Sequence, residues 1–222
     1  MTSMASLPLI ALDGPSGVGK STTARAVAEA LGWDYLDTGG MYRCAALIAL
    51  RSGLAPGDPA IPERLAEGVI LQDGPRFTLN GEEVSQAIRT PEVSRLASPV
   101  SADPRVRELL VEQQRRIGAR GRWVVDGRDI GTVVFPDACC KIFLTASPEA
   151  RARRRFLELE AKGQPADLAS VLADLAERDH RDSTRDVAPL RPAEDAFLLD
   201  SSELDLKQVV AVIVERHGRH PE

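Results

Sequence analysis

The chain has little cysteine, no excess of basic charge and no long apolar run. Its three cysteines, Cys44, Cys139 and Cys140, are odd in number and two are adjacent. They build no disulfide framework and fit a reducing compartment. A net charge of −5 argues against nucleic acid as the main partner, because the non-specific grip on that polyanion is electrostatic. No stretch is apolar for long enough to cross a bilayer, and the opening MTSMASLPLIALDG lacks the basic start of a signal peptide. Internal repeats, low-complexity tracts and zinc-type Cys/His spacings are missing too. The expectation is a cytoplasmic monomer with no nucleic-acid or membrane partner. What is left, 222 residues with 43% hydrophobic and 27% charged, is enough for one large domain with a sizeable core.

The most informative stretch is LIALDGPSGVGKSTTARAVAEAL, residues 9–31. Leu9 to Leu12 reads as a buried strand and Thr22 to Leu31 as a helix, with Gly32 at its C-cap. Between them, Gly14-Pro15-Ser16-Gly17-Val18-Gly19-Lys20-Ser21 fits G-x-x-x-x-G-K-[ST], the phosphate-binding P-loop. Gly14, Gly17 and Gly19 let backbone N–H groups turn toward an anion, and the helix behind points its positive end at the same spot. Lys20 adds a point charge for the β- and γ-phosphates, and the Ser21 hydroxyl can ligate Mg²⁺.

Trp33 to Leu36 reads as a short strand, with Asp37-Thr38 capping a helix that runs to about Leu50; Thr38 and Arg43 are candidates for a second phosphate. Ser52 to Pro62 reads as a loop. Three short β runs follow, Val69 to Gln72, Arg76 to Leu79 and Glu82 to Val84, an antiparallel meander turned by Asp73-Gly74-Pro75 and Asn80-Gly81. It has little core of its own and must pack on something larger. Thr90-Pro91 and Asp103-Pro104 open two helices. Trp123 to Val125 is a buried strand that runs into Asp126, the usual presentation of a Mg²⁺-organising carboxylate, followed by Arg128 and Asp129 where open α/β sheets bind ligands. After a strand over Cys140 to Leu144, Ser147-Pro148 starts a helix with Arg151, Arg153, Arg154 and Arg155. Glu158, at i,i+4 from Arg154, can serve one of them, and little else is near. Lys162-Gly163-Gln164-Pro165 breaks that helix and Asp167 caps the next, where Arg178, Arg181, Asp182 and Arg185 fall at i, i+3, i+4 and i+7 on one face. An arginine-studded helical hairpin of this kind resembles a lid over phosphates. A strand over Ala196 to Leu199 and a helix over Leu206 to His217 close the chain. Strand–helix alternation predicts α/β architecture with about five parallel core strands and helices on both faces.

No Asn-Lys-x-Asp motif for guanine is present, and a motor or transport ATPase would be longer. Arginines at 43, 151–155 and 178–185 exceed what one triphosphate needs and suggest a second phosphorylated substrate. A phosphate acceptor is already ionised, so catalysis reduces to in-line positioning and charge neutralisation. On these residues alone, a kinase for CMP, UMP, AMP or another small acceptor and a nucleotide sensor without turnover are all open.

The runs LDTGGMYR, LNGEEVSQAIRTPEVS, VVDGRDIGTVVFPDA, RARRRFLEL and ERDHRDSTRDVAPL resemble the bacterial cytidylate kinases, of the nucleoside monophosphate kinase group, nearly end to end. The resemblance implies a three-layer P-loop kinase fold with a central parallel five-stranded sheet, a small α+β NMP-binding insertion and a helical lid. It implies one kinase domain: core over 1–38, 104–147 and 186–222, NMP-binding part over about 39–103, lid over about 148–168 and a helix over 168–185. The reaction would be Mg²⁺-assisted transfer from ATP to CMP or dCMP. Gly14 to Thr22 would hold ATP, through Gly14, Pro15, Ser16, Gly17, Val18, Gly19, Lys20, Ser21 and Thr22. Thr38, Arg43 and Arg128 would meet the CMP phosphate; Ser98, Arg107 and Asp129 would read cytosine; Arg178 and Asp182 would approach the sugar, and Arg185 the transferring phosphates. Lys20, Arg155 and Arg185 would be the catalytic cations, with Ser21 and Asp126 toward Mg²⁺. One departure stands out: Gly40 replaces the Ala or Ser expected there, which should loosen the helix start by up to about 1 kcal/mol.

Overall fold

A computed structural model describes residues 7–161 and 163–219. The opening MTSMAS, Lys162 of the expected helix break and residues 220–222 lie outside them. The chain divides into two compact units, one running to Tyr35 and resuming at Gly121, the other spanning Leu36–Arg120.

The strands β1 (Leu7–Asp13), β2 (Asp34–Asp37), β6 (Trp123–Asp126), β7 (Ala138–Thr145) and β8 (Phe197–Asp200) form one sheet in the order β2-β6-β1-β7-β8. β1 pairs in parallel with β6 on one side and β7 on the other. That central place explains why Leu9, Ile10, Ala11 and Leu12 are an unbroken apolar run: both faces of the strand are covered. Leu12 stands opposite Asp126, and Asp13 opposite Phe143, so β1 and β6 each finish on an acid at the carboxyl end of the sheet. α1 (Lys20–Leu31) and α8 (Leu206–Gly218) share one core with these strands, with Val27 and Ala28 buried alongside Val209 and Ile213. Gly32 ends α1 in the left-handed region, its N–H shared by the Ala28 and Glu29 carbonyls. The parallel five-stranded sheet with helices on both sides is the predicted three-layer α/β architecture. α6 (Pro148–Ala161) and α7 (Leu168–Thr184) form the expected hairpin around Ala152, Val171 and Leu175.

The Leu36–Arg120 unit holds α2 (Thr38–Arg51), α3 (Ala60–Glu67), the antiparallel meander β3 (Ile70–Asp73), β4 (Arg76–Leu79) and β5 (Glu82–Glu83), then α4 (Pro91–Val100) and α5 (Pro104–Gly118). The loop expected over Ser52 to Pro62 is shorter, because α3 begins at Ala60. Proline is tolerated in a first helical turn, where its missing N–H would lack a partner anyway, and the Asp58 carboxylate accepts from Ala60 N at 2.9 Å. Thr90 and Asp103 cap α4 and α5 as their sequences suggest.

Gly40 is not a loosened helix start. A Cβ there would lie 2.2 Å from Cζ of Phe77, whose ring, on β4, is fully buried against α2. The missing methyl is the space the ring fills, and this contact seats the meander. Gly40→Ala should therefore destabilise by about 1–3 kcal/mol through overpacking. Combining it with Phe77→Leu should cost less than the two single changes added together. Denaturant midpoints measure both; an unaltered midpoint for Gly40→Ala would contradict the packing.

Candidate active site

The P-loop begins where β1 runs out. At Gly14 the chain passes so close to the end of β7 that a Cβ would lie 2.1 Å from the Leu144 carbonyl oxygen, and φ is +149°. Only glycine fits. The loop then turns into α1, whose second residue is Ser21 and third is Thr22. Lys20 is buried, and its Nζ donates to the Pro15 carbonyl at 2.7 Å. Burial and then the neighbouring Arg128 charge hold its ammonium well below the usual lysine range, Arg178 adding to them and Asp126 and Asp13 opposing. A further anion beside Lys20 would relieve that tension.

The Ser21 hydroxyl donates to Asp126 Oδ2 at 2.9 Å, and the Tyr35 hydroxyl to Asp126 Oδ1 at 2.8 Å. A hydroxyl and a carboxylate in contact beside a phosphate cradle are hard oxygen donors, the set that suits Mg²⁺.

Past β6, Arg128 Nε donates to Asp182 Oδ2 at 2.9 Å, and Arg185 Nη2 to Asp129 Oδ1 at 3.4 Å. Burial pushes the Asp182 carboxyl up, but Arg128, Arg178 and Arg185 together outweigh it and leave it below the usual carboxylate range. Arg128, Asp129, Arg178, Asp182 and Arg185, which the sequence scatters, thus form one cluster, and Arg128 and Arg178 are near enough to Lys20 to act on it. Arg181 does not share this face: it turns outward to Glu177 at 3.3 Å. Arg185 lies beyond the end of α7 in extended backbone.

The lid arginines also sort differently from their spacing. Arg155, not Arg154, takes Glu158, at 2.8 Å on the helix surface. Arg154 is drawn instead to the Val18 carbonyl at 3.3 Å and to Ser201, and Arg151 Nη1 donates to the Ser16 carbonyl at 3.0 Å and to Asp179. Asp179 in turn accepts from Ser16 N at 3.0 Å. Both lid helices are therefore tied to the P-loop backbone.

Within the Leu36–Arg120 unit, Asp37 organises the start of α2. Its Oδ1 accepts from Gly40 N at 2.7 Å and its Oδ2 from Arg43 Nη2 at 3.0 Å, while its own N–H donates to Gln72 Oε1. Thr38 is buried as the first residue of α2. On α5, Arg107 is buried with its guanidinium 5.4 Å from the Tyr42 ring centre. Arg107 Nη1 donates to the Ser101 carbonyl at 3.4 Å, and the Ser101 hydroxyl to the Ser98 carbonyl at 2.8 Å, so Ser98 and Arg107 share one polar cluster.

A family model described as cytidylate kinase matches residues 10–219. The chain belongs to the cytidylate kinase family. It is 48% identical over 217 residues to a cytidylate kinase of Pseudomonas paraeruginosa, covering 95% of each chain. It is 50% identical over 223 residues to one of Rhodococcus opacus, covering 95% of this chain and 96% of that one. Among solved structures, an uncharacterized protein from Eubacterium ventriosum superposes with a TM-score of 0.51 at 12% identity, over 95% of this chain and 98% of that one, a likeness of fold alone. A kinase of this family takes its phosphoryl group from ATP.

Reading by motif passed over three members of the site: Asp179, Tyr35 and Asp13. Asp13 carried a signal, since a carboxylate closing a buried apolar strand must have partners. Its Oδ1 accepts from Ile130 N and its Oδ2 from Gly131 N, both at 2.8 Å. Burial nevertheless pushes the carboxyl up to about 7, from an ordinary value of 3.8, with Asp129 adding to the rise and the two N–H groups and Lys20 opposing it. A folded-state value above the unfolded one means that Asp13's contribution to stability is fully present below about pH 3.8 and is lost as pH rises through about 7. Compared with Asp13→Asn, the wild type should lose unfolding free energy between pH 4 and 8. Paired urea titrations check this, and parallel pH profiles would refute it.

Proposed function

We propose that the protein transfers the γ-phosphoryl group of ATP to the phosphate of CMP or dCMP, giving ADP and CDP or dCDP. The observation that carries this reading is the massing of buried Lys20 with half-buried Arg128 and Arg178 in one cluster behind a P-loop, with Arg185 beside Asp129 and Asp182. Arginines brought from beyond β6 and from α7 to a P-loop suit a second phosphorylated substrate beside the triphosphate. The family membership supplies the identity of the second anion.

In this reading the residues from Gly14 to Thr22 hold ATP, with loop N–H groups and Lys20 on the β- and γ-phosphates. Thr38, Arg43 and Arg128 bind the CMP phosphate. Ser98, Arg107 and Asp129 match the amino, ring-nitrogen and carbonyl groups of cytosine, Arg178 and Asp182 serve the sugar, and Arg185 serves the transferring group. The bond from the γ-phosphorus to ADP breaks as one forms to a CMP phosphate oxygen, which is already ionised, so no side chain has to remove a proton. Lys20 and Arg185 neutralise charge in place, while Arg155 must leave Glu158 to join them. Ser21 and Asp126 would hold Mg²⁺, which would neutralise phosphate charge when bound. Residues of about 39–103 serve as the nucleoside monophosphate-binding part and those of about 148–168 as the lid of one kinase domain, in a cytoplasmic monomer.

An acceptor panel with ATP and Mg²⁺, read by ADP release, should rank CMP and dCMP above UMP and AMP; the reverse order would overturn the assignment. Lys20→Ala should abolish turnover, a loss of at least about 10²-fold in kcat on the scale of lost charge stabilisation, while circular dichroism shows the fold retained. An unchanged kcat in that variant would remove Lys20 from the chemistry.

A further inference from the structure

Directly after β6, residues Ile130–Val134 form one π-helical turn. Like any helical start, it opens with N–H groups that have no partner within the turn. Its N-cap position is held by Asp129, a residue type that ordinarily supplies the cap from its own side chain. Here it does not: Asp129 makes no side-chain cap bond. The cap comes from Asp13, 117 residues earlier in sequence, whose two carboxylate oxygens take the N–H groups of Ile130 and Gly131. A capping carboxylate from β1 has two consequences. It pins the backbone that follows Asp129 to the central strand of the sheet. It also leaves the Asp129 carboxylate to turn toward Arg185 and away from its own backbone.

We propose that Asp13 is a positioning residue for recognition of the acceptor nucleotide: by capping the 130–134 turn from β1, it holds Asp129 in place with its carboxylate turned toward Arg185 rather than to its own backbone. Asp13 also directly precedes Gly14, so one buried side chain joins the start of the donor loop to the acceptor-reading loop. The inference rests on the reading of Asp129 as a contact of the CMP base.

The effect has a direction. The Asp13 carboxylate holds the backbone of Ile130 and Gly131 by two hydrogen bonds and touches the ATP side only through its charge near Lys20, so its loss should fall mainly on CMP and less on ATP. Asp13→Asn keeps the volume but offers one acceptor where two N–H groups point. At pH 8, where the wild-type carboxyl is ionised, Asp13→Asn should raise KM for CMP at least about fivefold and KM for ATP less than about twofold, the size of one lost buried hydrogen bond. Calorimetric titration with CMP alone should show the same loss on the folded protein. Asp13→Ser, which leaves one short acceptor, should show the same split, so the test stands if the asparagine variant is poorly folded. A residue that only stabilises the fold would lower the melting temperature without separating the two substrates.

Equal changes in both KM values, a change confined to ATP, or failure of both variants to fold would overturn the proposal. Asp129→Ala measured alongside separates it from its premise. If Asp129→Ala leaves KM for CMP unaltered, the reading of Asp129 falls and the Asp13 inference with it. If Asp129→Ala raises KM for CMP and the Asp13 variants do not, only the role of Asp13 falls.

Discussion

The site depends on like charges that the fold brings together around a buried lysine. Lys20 lies under the P-loop with Arg128 and Arg178 near enough to oppose its protonation, while Asp126 and Asp13 help it only in part. Burying like charges together is costly, and structures keep such an arrangement where something else completes the balance. In the reading proposed above, a nucleoside triphosphate and a second phosphate would do so. In that reading the two substrates would meet cations that no single helix or strand could supply.

Around that cluster, the acids have distinct tasks that their residue type alone does not reveal. Asp126 accepts from Ser21 and Tyr35 beside the phosphate cradle. Asp182 gathers Arg128 and Arg178, which hold it ionised. Asp179 ties α7 to the Ser16 N–H and to Arg151, and Asp13 caps the turn behind Asp129. Each is buried or half-buried against donors of a different element, so together they set the spacing between β1, the turn after β6, and the lid helices.

The Leu36–Arg120 unit shows the same economy at a smaller scale. Asp37 caps α2, receives Arg43 and is anchored by Gln72 of the meander, while the Phe77 ring occupies the space over Gly40. A three-stranded meander has too little apolar surface to stand alone. Its one large buried ring docks it on α2, beside the residues assigned to the acceptor phosphate.

Local chemistry was enough to read much of this from sequence. The P-loop, the caps at Asp37, Thr90, Asp103 and Asp167, the meander and the central strands follow from short-range rules: glycine where backbone meets an anion, side-chain oxygens at helix starts, apolar runs where both faces of a strand are covered. What the order of residues could not decide is which charges meet across elements. Spacing put Glu158 with Arg154 and put Arg181 on the inner face, yet the carbonyls of Val18 and Ser201 draw Arg154 away and Glu177 draws Arg181 outward. It treated Gly40 as a weakness because the ring that fills the gap comes from a strand 37 residues later. It passed over Asp13 because the N–H groups that need it belong to a turn 117 residues away. A helix or a turn is determined by neighbours in the chain; the partner of a buried charge is determined by whichever donor the folded sheet brings to it.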